Sequence, residues 1–116
     1  MLPEERDAAY LWDMVEAAKE VRDMTSGVSS SDFLENRVLL RATERGVEII
    51  GEAAAHVSVA FRKTHTDIPW RQIIGQRNII VHEYGQIDYE MLYQTATNDI
   101  PELITTIEPI LPALDP

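Results

Sequence analysis

The residues best suited to chemistry lie in one short stretch, from Trp70 to Tyr89. His82 follows Asn78 by four residues, so the two side chains share a face of a helix and could hydrogen-bond. A histidine, with a usual pKa of about 6.5, exchanges protons near neutral pH. An arginine such as Arg77 binds anionic oxygens through two parallel hydrogen bonds. These residue types suit acid–base chemistry on an anionic group.

The spacing between Arg77 and His82 leaves alternatives open. Five residues place them about 140° apart around an ideal helix and about 7.5 Å apart along it, so they do not share a face. They could converge if Arg77 reaches round, if the helix frays before Gly85, or if a second copy supplies half of a cleft. Tyr84, seven residues beyond Arg77, returns to its face. Alternatively, Arg77 is buried against a carboxylate such as Glu52 and His82 is structural.

Other kinds of site find little support in the sequence. His56 and His65 lie nine residues apart across a predicted helix end, without the spacing of metal ligands, so no metal site is predicted. The five glycines are scattered and form no phosphate-binding loop, and there is no cysteine nucleophile. No cofactor is therefore expected.

The composition indicates a single helical domain over residues 1–116 with an acidic surface. The absence of cysteine excludes disulfides and thiolate zinc sites and fits a reducing cytoplasm. No apolar run approaches the roughly 20 residues that span a bilayer, so a cytoplasmic protein without membrane contact is expected. The net charge of −10 opposes broad contact with nucleic acid, so any such site must be a local basic cleft. The acidic surface could equally favour a basic protein partner.

Helical periodicity dominates the chain and predicts the elements that position these residues. Leu11, Met14, Val15, Ala18 and Val21 form one apolar stripe, and a heptad repeat runs through Phe33, Leu40, Val47, Ala54 and Phe61. The charges on the other face of that second helix are expected to be solvated. The predicted helices cover about Pro3–Met24, Asp32–Arg62 (capped by Ser30 or Ser31), Trp70–Tyr84 and Tyr89–Asn98 (capped by Asp88), and Pro101 kinks the last one or begins another. The fold class is all-α, an antiparallel bundle of four to five helices.

The sequence Arg77-Asn78-Ile79-Ile80-Val81-His82-Glu83-Tyr84 matches the R-x4-H-x-Y motif of HepT-like HEPN proteins. Its surroundings match as well: Gly51-Glu52-Ala53 on the long helix, Ile68-Pro69-Trp70 before the motif, and Asp99-Ile100-Pro101-Glu102-Leu103 after it. The chain therefore resembles the HepT-like HEPN toxins over most of its length, in the same order.

The resemblance implies a HEPN fold, a homodimer and a composite cleft where two motifs meet. It implies a toxin that cleaves RNA without a metal, with Arg77, Asn78 and His82 as catalytic residues. It also implies an MntA-type nucleotidyltransferase antitoxin that adenylylates Tyr84. In such a site His82 would transfer protons and Arg77 would stabilise the charge on the phosphate, while Asn78 would orient His82 or the phosphate.

Two other interpretations remain open at this point. The first is a non-catalytic helical module that dimerises and binds a nucleotidyltransferase partner, which the acidic surface favours. The second is a plain helical scaffold. If the chain is an enzyme, we expect a positive patch around Arg77 and a solvent-accessible His82. If it is a scaffold, we expect His82 to be buried and fully hydrogen-bonded.

Overall fold

The computed structural model describes the backbone of residues 3–82 and 87–114 and the side chains of residues 6–76 and 87–111. Every regular element in those backbone ranges is helical, and none of the residues in them lies in a strand. The predicted all-α class is confirmed, and a helical bundle fits the packing described below. The homodimer stays a prediction.

The helices differ greatly in length. Helix α1 covers Pro3–Thr25, α2 covers Ser30–Glu35, α3 covers Arg37–His56, α4 covers Val59–Thr64 and α5 covers Trp70–His82. After the motif, α6 covers Tyr89–Gln94, a π-helical turn covers Thr95–Asp99, α7 covers Ile100–Ile107 and a 3₁₀ helix covers Glu108–Leu114. Helix α1 packs against α3 and α7, α3 packs against α5, and α2 packs against α6. The long α3 is thus central, with α1 and α5 both packed against it.

The predicted apolar stripe of α1 forms the centre of the core. Its residues are at most 1 % exposed and pack with the inner faces of α3 and α7. A smaller cluster of Phe33, Leu40, Val47 and Leu92 joins α2 and α3 to α6. Each large side chain buried in this way contributes about 1.5–3 kcal/mol to folding. Burial of these two clusters holds α3 in place, and α5 packs on α3.

The predicted single helix from Asp32 to Arg62 is wrong, because two polar side chains interrupt it. The Asn36 Oδ1 accepts a hydrogen bond from the Leu39 N–H at 3.0 Å and caps α3. The Ser58 Oγ accepts one from the Phe61 N–H at 3.1 Å and caps α4. Short polar side chains compete in this way for backbone N–H groups, which ends one helix and begins the next.

The residues of the heptad repeat still face the core in spite of these two helix breaks. Phe33, Leu40, Val47 and Ala54 are all buried, and Phe61 is half-buried. The opposite face of α3 is largely solvated, as predicted, since Arg41, Arg45 and Glu52 are exposed, whereas Glu44 and Glu48 are half-buried. On this face Arg45 pairs with Glu48 at 3.2 Å and with Glu52 at 3.8 Å. The cap of α2 is Ser29, whose hydroxyl accepts from the Asp32 N–H at 3.2 Å, so the prediction of Ser30 or Ser31 is wrong by one or two residues.

The helix after the motif begins as predicted, since the Asp88 carboxylate accepts from the Met91 N–H at 3.0 Å. The prediction that Pro101 begins another helix is confirmed, because α7 starts at Ile100 with Pro101 in its first turn. The predicted end at Asn98 is wrong, since α6 ends at Gln94 and a π-helical turn over Thr95–Asp99 joins it to α7 without a break in the helical backbone. Proline lacks an N–H and its ring crowds the preceding turn of an α-helix. The π-helical turn immediately before Pro101 widens the helix there, and we attribute its position to the proline.

Candidate active site

Three of the four predicted site residues lie on one regular helix. Arg77, Asn78 and His82 occupy the last turns of α5, whose backbone is α-helical through His82. Their side chains, and all of Tyr84, lie outside the described residues. Because the helix stays regular between Arg77 and His82, these two positions remain about 140° apart, so fraying between them does not bring them together.

The start of α5 is held by an aromatic cluster. The Trp70 side chain is buried, and its indole N–H donates to the His65 carbonyl at 3.0 Å. Phe61 stacks on the His65 ring, with the ring centroids 3.9 Å apart, and meets the Trp70 ring edge-on, with the centroids 6.2 Å apart. This cluster ties α4 to α5. It gives His65 a structural role, and the orientation of α5 follows from these contacts and from its packing on α3.

An open pocket of about 580 Å³ lies between α4 and the first half of α5. We call it the basic pocket; it is lined by Val59, Arg62, Lys63, Thr66, Trp70, Arg71, Ile74 and Gly75. Lys63 and Arg71 are exposed, while the Arg62 Nε donates to the Val57 carbonyl at the end of α3, at 3.2 Å. Among the side chains at 6–76 and 87–111, none of these three cations pairs with a carboxylate. The pocket therefore offers positive charge to a ligand.

The opposite side of α5 faces a different, more enclosed pocket of about 300 Å³. We call it the acidic pocket, since its rim carries Asp67, Asp99 and Glu102; α5 contributes Gln72, Ile73 and Gln76 to it. Partial burial at this rim raises the pKa of Asp99, and the negative charge of Glu102 raises it further. The two faces of α5 thus differ in the sign of the charge that they present.

Helix α6, which follows the motif in the chain, begins next to the polar face of α3. A hydrogen bond with the Glu44 carboxylate raises the pKa of Tyr89, and burial of the phenol adds to the effect. The charges of Arg41 and Arg37 act in the opposite direction. These interactions place Tyr89 next to the polar face of α3, near the point where α6 begins.

The basic pocket is the feature that motif analysis missed. The positions of Arg62, Lys63 and Arg71 match no motif, and a continuous second helix would not have placed Arg62 and Lys63 beside α5. The break at Ser58 makes α4 a separate helix that packs next to α5. A count of charges along the chain would have pointed to this region.

Two further kinds of site are absent from the described part of the chain. No three histidine or carboxylate side chains among those described lie close enough to hold a metal ion. No helix within residues 3–82 and 87–114 is long and apolar enough to cross a membrane.

Comparison with known proteins gives a consistent family. A family model described as "Ribonuclease HepT-like" matches residues 14–110. A protein of Methanocaldococcus jannaschii named "Putative RNase" is 34% identical over 100 residues, which cover 86% of this chain and 92% of that protein. A "Putative RNase" of Caldanaerobacter subterraneus is 35% identical over 102 residues, covering 88% of this chain and 91% of the relative.

A third relative carries the family name itself. The "Probable ribonuclease HepT" of Thermococcus cleftensis is 35% identical over 94 residues, which cover 81% of this chain and 86% of that protein. No solved structure is matched by the chain. The match of the family model spans nearly all of the described helices, from α1 to the 3₁₀ helix. The chain belongs to the HepT-like ribonuclease family.

Proposed function

We propose that this protein is a toxin that cleaves RNA without a metal, at a composite site where the R-x4-H-x-Y motifs of two copies meet. Arg77, Asn78 and His82 are its catalytic residues. The observation that carries the proposal is the placement of all three on one regular helix, in a chain whose family is HepT-like ribonuclease. The basic pocket at the other end of that helix supports it, because an RNA enzyme with a net charge of −10 needs a local positive surface.

The regular helix also supports a shared site. With Arg77 and His82 about 140° apart, one copy does not readily direct both side chains at one phosphate. Two copies related by a twofold axis bring the same surface together, so Arg77 of one copy meets His82 of the other. A homodimer is therefore part of the proposed function.

The proposed reaction is transfer of a phosphodiester within RNA. His82 removes the proton of a ribose 2′-OH, the 2′ oxygen attacks the adjacent phosphorus, and the bond to the 5′ oxygen breaks. The leaving 5′ oxygen takes up a proton from water, which leaves a 2′,3′-cyclic phosphate and a 5′-OH end, and the protonated His82 returns its proton to solvent. Arg77 stabilises the additional negative charge on the pentacoordinate phosphate through paired hydrogen bonds. Asn78, one helical turn before His82, orients the imidazole.

Tyr84 is the proposed point of control. An MntA-type nucleotidyltransferase antitoxin would direct the Tyr84 hydroxyl at the α-phosphorus of ATP, with pyrophosphate as the leaving group. The attached AMP would add negative charge beside the cleft and repel the substrate phosphate. Incubation with the antitoxin and ATP is expected to add the mass of one AMP to the parent chain and none to Tyr84→Phe.

The central test compares the parent with Arg77→Ala and His82→Ala on RNA in the presence of EDTA. The expected result is cleavage by the parent alone, with cyclic-phosphate ends. His56→Ala is the matched control, because His56 is an exposed histidine on α3, outside the motif, and its variant should cleave as the parent does. Circular dichroism and the oligomeric mass of each variant check that a loss of cleavage is not a loss of folding.

Two results would contradict the proposal. Cleavage that persists in His82→Ala would remove His82 from the reaction and point to a contaminating nuclease or another site. A folded parent dimer that cleaves none of several RNAs would favour the non-catalytic module that binds a nucleotidyltransferase.

A further inference from the structure

The charge of this protein is distributed very unevenly along the chain. Residues 53–82 contain four arginines and lysines and a single carboxylate, Asp67, so this segment has a net charge of +3. The rest of the chain has a net charge of −13. The positive segment comprises the end of α3, α4 and all of α5. A polyanion is therefore repelled by most of the sequence and attracted to the surface formed by α4 and α5.

The fold gathers three of these four cations into one concave surface. Arg62 and Lys63 from α4 face Arg71 from α5 across the basic pocket. The hydrogen bond from the Arg62 Nε to the Val57 carbonyl fixes one guanidinium beside the pocket before any ligand arrives. Val59 and Ile74 add an apolar portion to the lining. A surface with fixed cations and apolar patches suits a chain of phosphates that carries sugars and bases.

Helical register connects the basic pocket to the proposed catalytic positions. On an ideal α-helix, positions 78 and 82 each lie within about 20° of position 71, and position 77 lies within about 20° of position 70. Arg71 and Trp70 both line the basic pocket. The distance along the axis from position 71 to position 82 is about 16 Å, or about five nucleotides at 3.4 Å per nucleotide in a helical strand. One strand can therefore contact both regions.

We infer that the basic pocket binds the phosphodiester backbone of the RNA strand to one side of the bond that is cut, so that the strand runs along α5 from Arg71 to His82. This inference rests on the proposed function, since it gives the RNA its path to that site. Lys63 and Arg71 act here as binding residues that position the strand, and Arg62 holds the wall of the pocket. An acidic protein surface is the alternative ligand for these cations. Such a partner would have no reason to extend along the face of α5 that leads from Arg71 to the motif, whereas an RNA strand that is cut there would.

The test removes two charges that are exposed and make no described contact with the core. The double variant Lys63→Gln/Arg71→Gln spares Arg62, whose bond to Val57 contributes to folding. The matched control is Lys19→Gln/Arg22→Gln, which changes the net charge equally at two cations of α1 that pair with Glu108 and Asp23. The probe is a labelled single-stranded RNA with 2′-O-methyl ribose throughout, which lacks the nucleophilic 2′-OH and so reports binding alone.

The expected result is a Kd about tenfold higher for Lys63→Gln/Arg71→Gln than for the control pair. The plot of log affinity against log salt should also become shallower by about 1.4, since each lost phosphate contact on a single strand removes about 0.7 from the slope. With cleavable RNA the loss should fall mainly on KM. The variant Lys63→Arg/Arg71→Lys, which keeps both charges, should restore the slope.

The outcomes separate this inference from the proposed function. If the parent cleaves RNA and the two pairs share one Kd and one salt slope, the basic pocket does not bind the strand and the inference is wrong. If the parent binds the probe through the pocket but cleaves no RNA, the docking surface stands and the proposed function fails. If Lys63→Gln/Arg71→Gln loses the nucleotidyltransferase partner and keeps its RNA affinity, the pocket binds an acidic protein surface and the inference is overturned.

Discussion

Asp7 on α1 accepts two hydrogen bonds from Ser58, one from the backbone N–H at 2.8 Å and one from the hydroxyl at 2.7 Å. The same hydroxyl accepts from the Phe61 N–H and caps α4. A nearly buried carboxylate 51 residues away thus fixes the point where the chain leaves α3 and turns into α4. Because α4 carries Arg62 and Lys63, this contact also determines where the basic pocket forms.

Replacement of Asp7 by alanine should lower the free energy of unfolding by about 2 kcal/mol. The change removes two hydrogen bonds to a charged acceptor and leaves the Ser58 N–H without that partner. Urea unfolding measures the loss. Asp13→Ala, at an exposed carboxylate of the same helix, should stay within about 0.5 kcal/mol of the parent. Equal losses at both positions would show that the Asp7–Ser58 contact contributes nothing specific.

The contact between Asp7 and Ser58 also explains why the sequence did not predict the break between α3 and α4. Ser58 is an ordinary N-cap candidate, but the same is true of serines inside continuous helices, and local spacing favoured one long helix. The partner that makes the break stable lies on α1, so its effect depends on the tertiary fold. The helix break at Asn36 depends only on local contacts, because the cap needs only the Leu39 N–H. It was missed because the heptad repeat of apolar residues continues past Asn36 without interruption.

The candidate site was likewise predictable from the sequence only in part. The resemblance of the motif identified Arg77, Asn78, His82 and Tyr84, and the structure adds a regular helix under the first three. Periodicity predicted that helix because its apolar positions pack on α3. The basic pocket needs two elements that local patterns could not bring together. Only a comparison of charge between segments of the chain would have indicated it.

Gly46→Ala is expected to destabilise the protein although alanine is the better helix former. An added Cβ at Gly46 would collide with the Cγ2 of Val21, which is fully buried and stiff about its χ1. Overpacking costs about 1–3 kcal/mol, which exceeds the gain of about 1 kcal/mol in helix propensity. Gly75→Ala is the control, since nothing lies within 4 Å of its added Cβ. That variant should gain up to about 1 kcal/mol in urea unfolding.

A double variant tests the cause of the Gly46→Ala loss. Val21→Ala alone removes buried methyl groups and leaves a cavity. In Gly46→Ala/Val21→Ala the new methyl group occupies part of that space, so the double variant should lose less stability than the sum of the two single losses. Strict additivity would mean that the two side chains do not meet, and that the close approach of α1 and α3 lies elsewhere.

Tyr93→Phe should cost about 1 kcal/mol of stability. The Tyr93 hydroxyl donates to the Val28 carbonyl at 2.7 Å and fastens α6 to the turn between α1 and α2. The ring packs against Phe33, with centroids 5.2 Å apart, and this contact is kept in the phenylalanine variant. Tyr93→Ala loses both and should cost about 3–5 kcal/mol. If the phenylalanine variant is as unstable as the alanine variant, the hydroxyl dominates and the ring packing contributes little.

Asp99 should make the protein less stable as the pH rises through the acidic range. Its pKa in the folded chain is raised above the usual 3.8 by partial burial at the rim of the acidic pocket and by the charge of Glu102. The folded state therefore holds this proton more tightly than the unfolded state does. The contribution of Asp99 to stability is largest below pH 3.8 and is lost as the pH rises through the raised folded pKa.

Asp99→Asn removes this dependence, because the amide carries no charge at any of these pH values. The variant should unfold at higher urea than the parent at neutral pH, and the difference should shrink as the pH falls below the usual pKa of the carboxyl group. Glu102→Gln should recover part of the same gain, since it removes the second cause of the shift. Glu90→Gln, at an exposed carboxylate of α6, is the control. A difference between Asp99→Asn and the parent that stays constant across the pH range would place the effect in packing, not in the ionisation of Asp99.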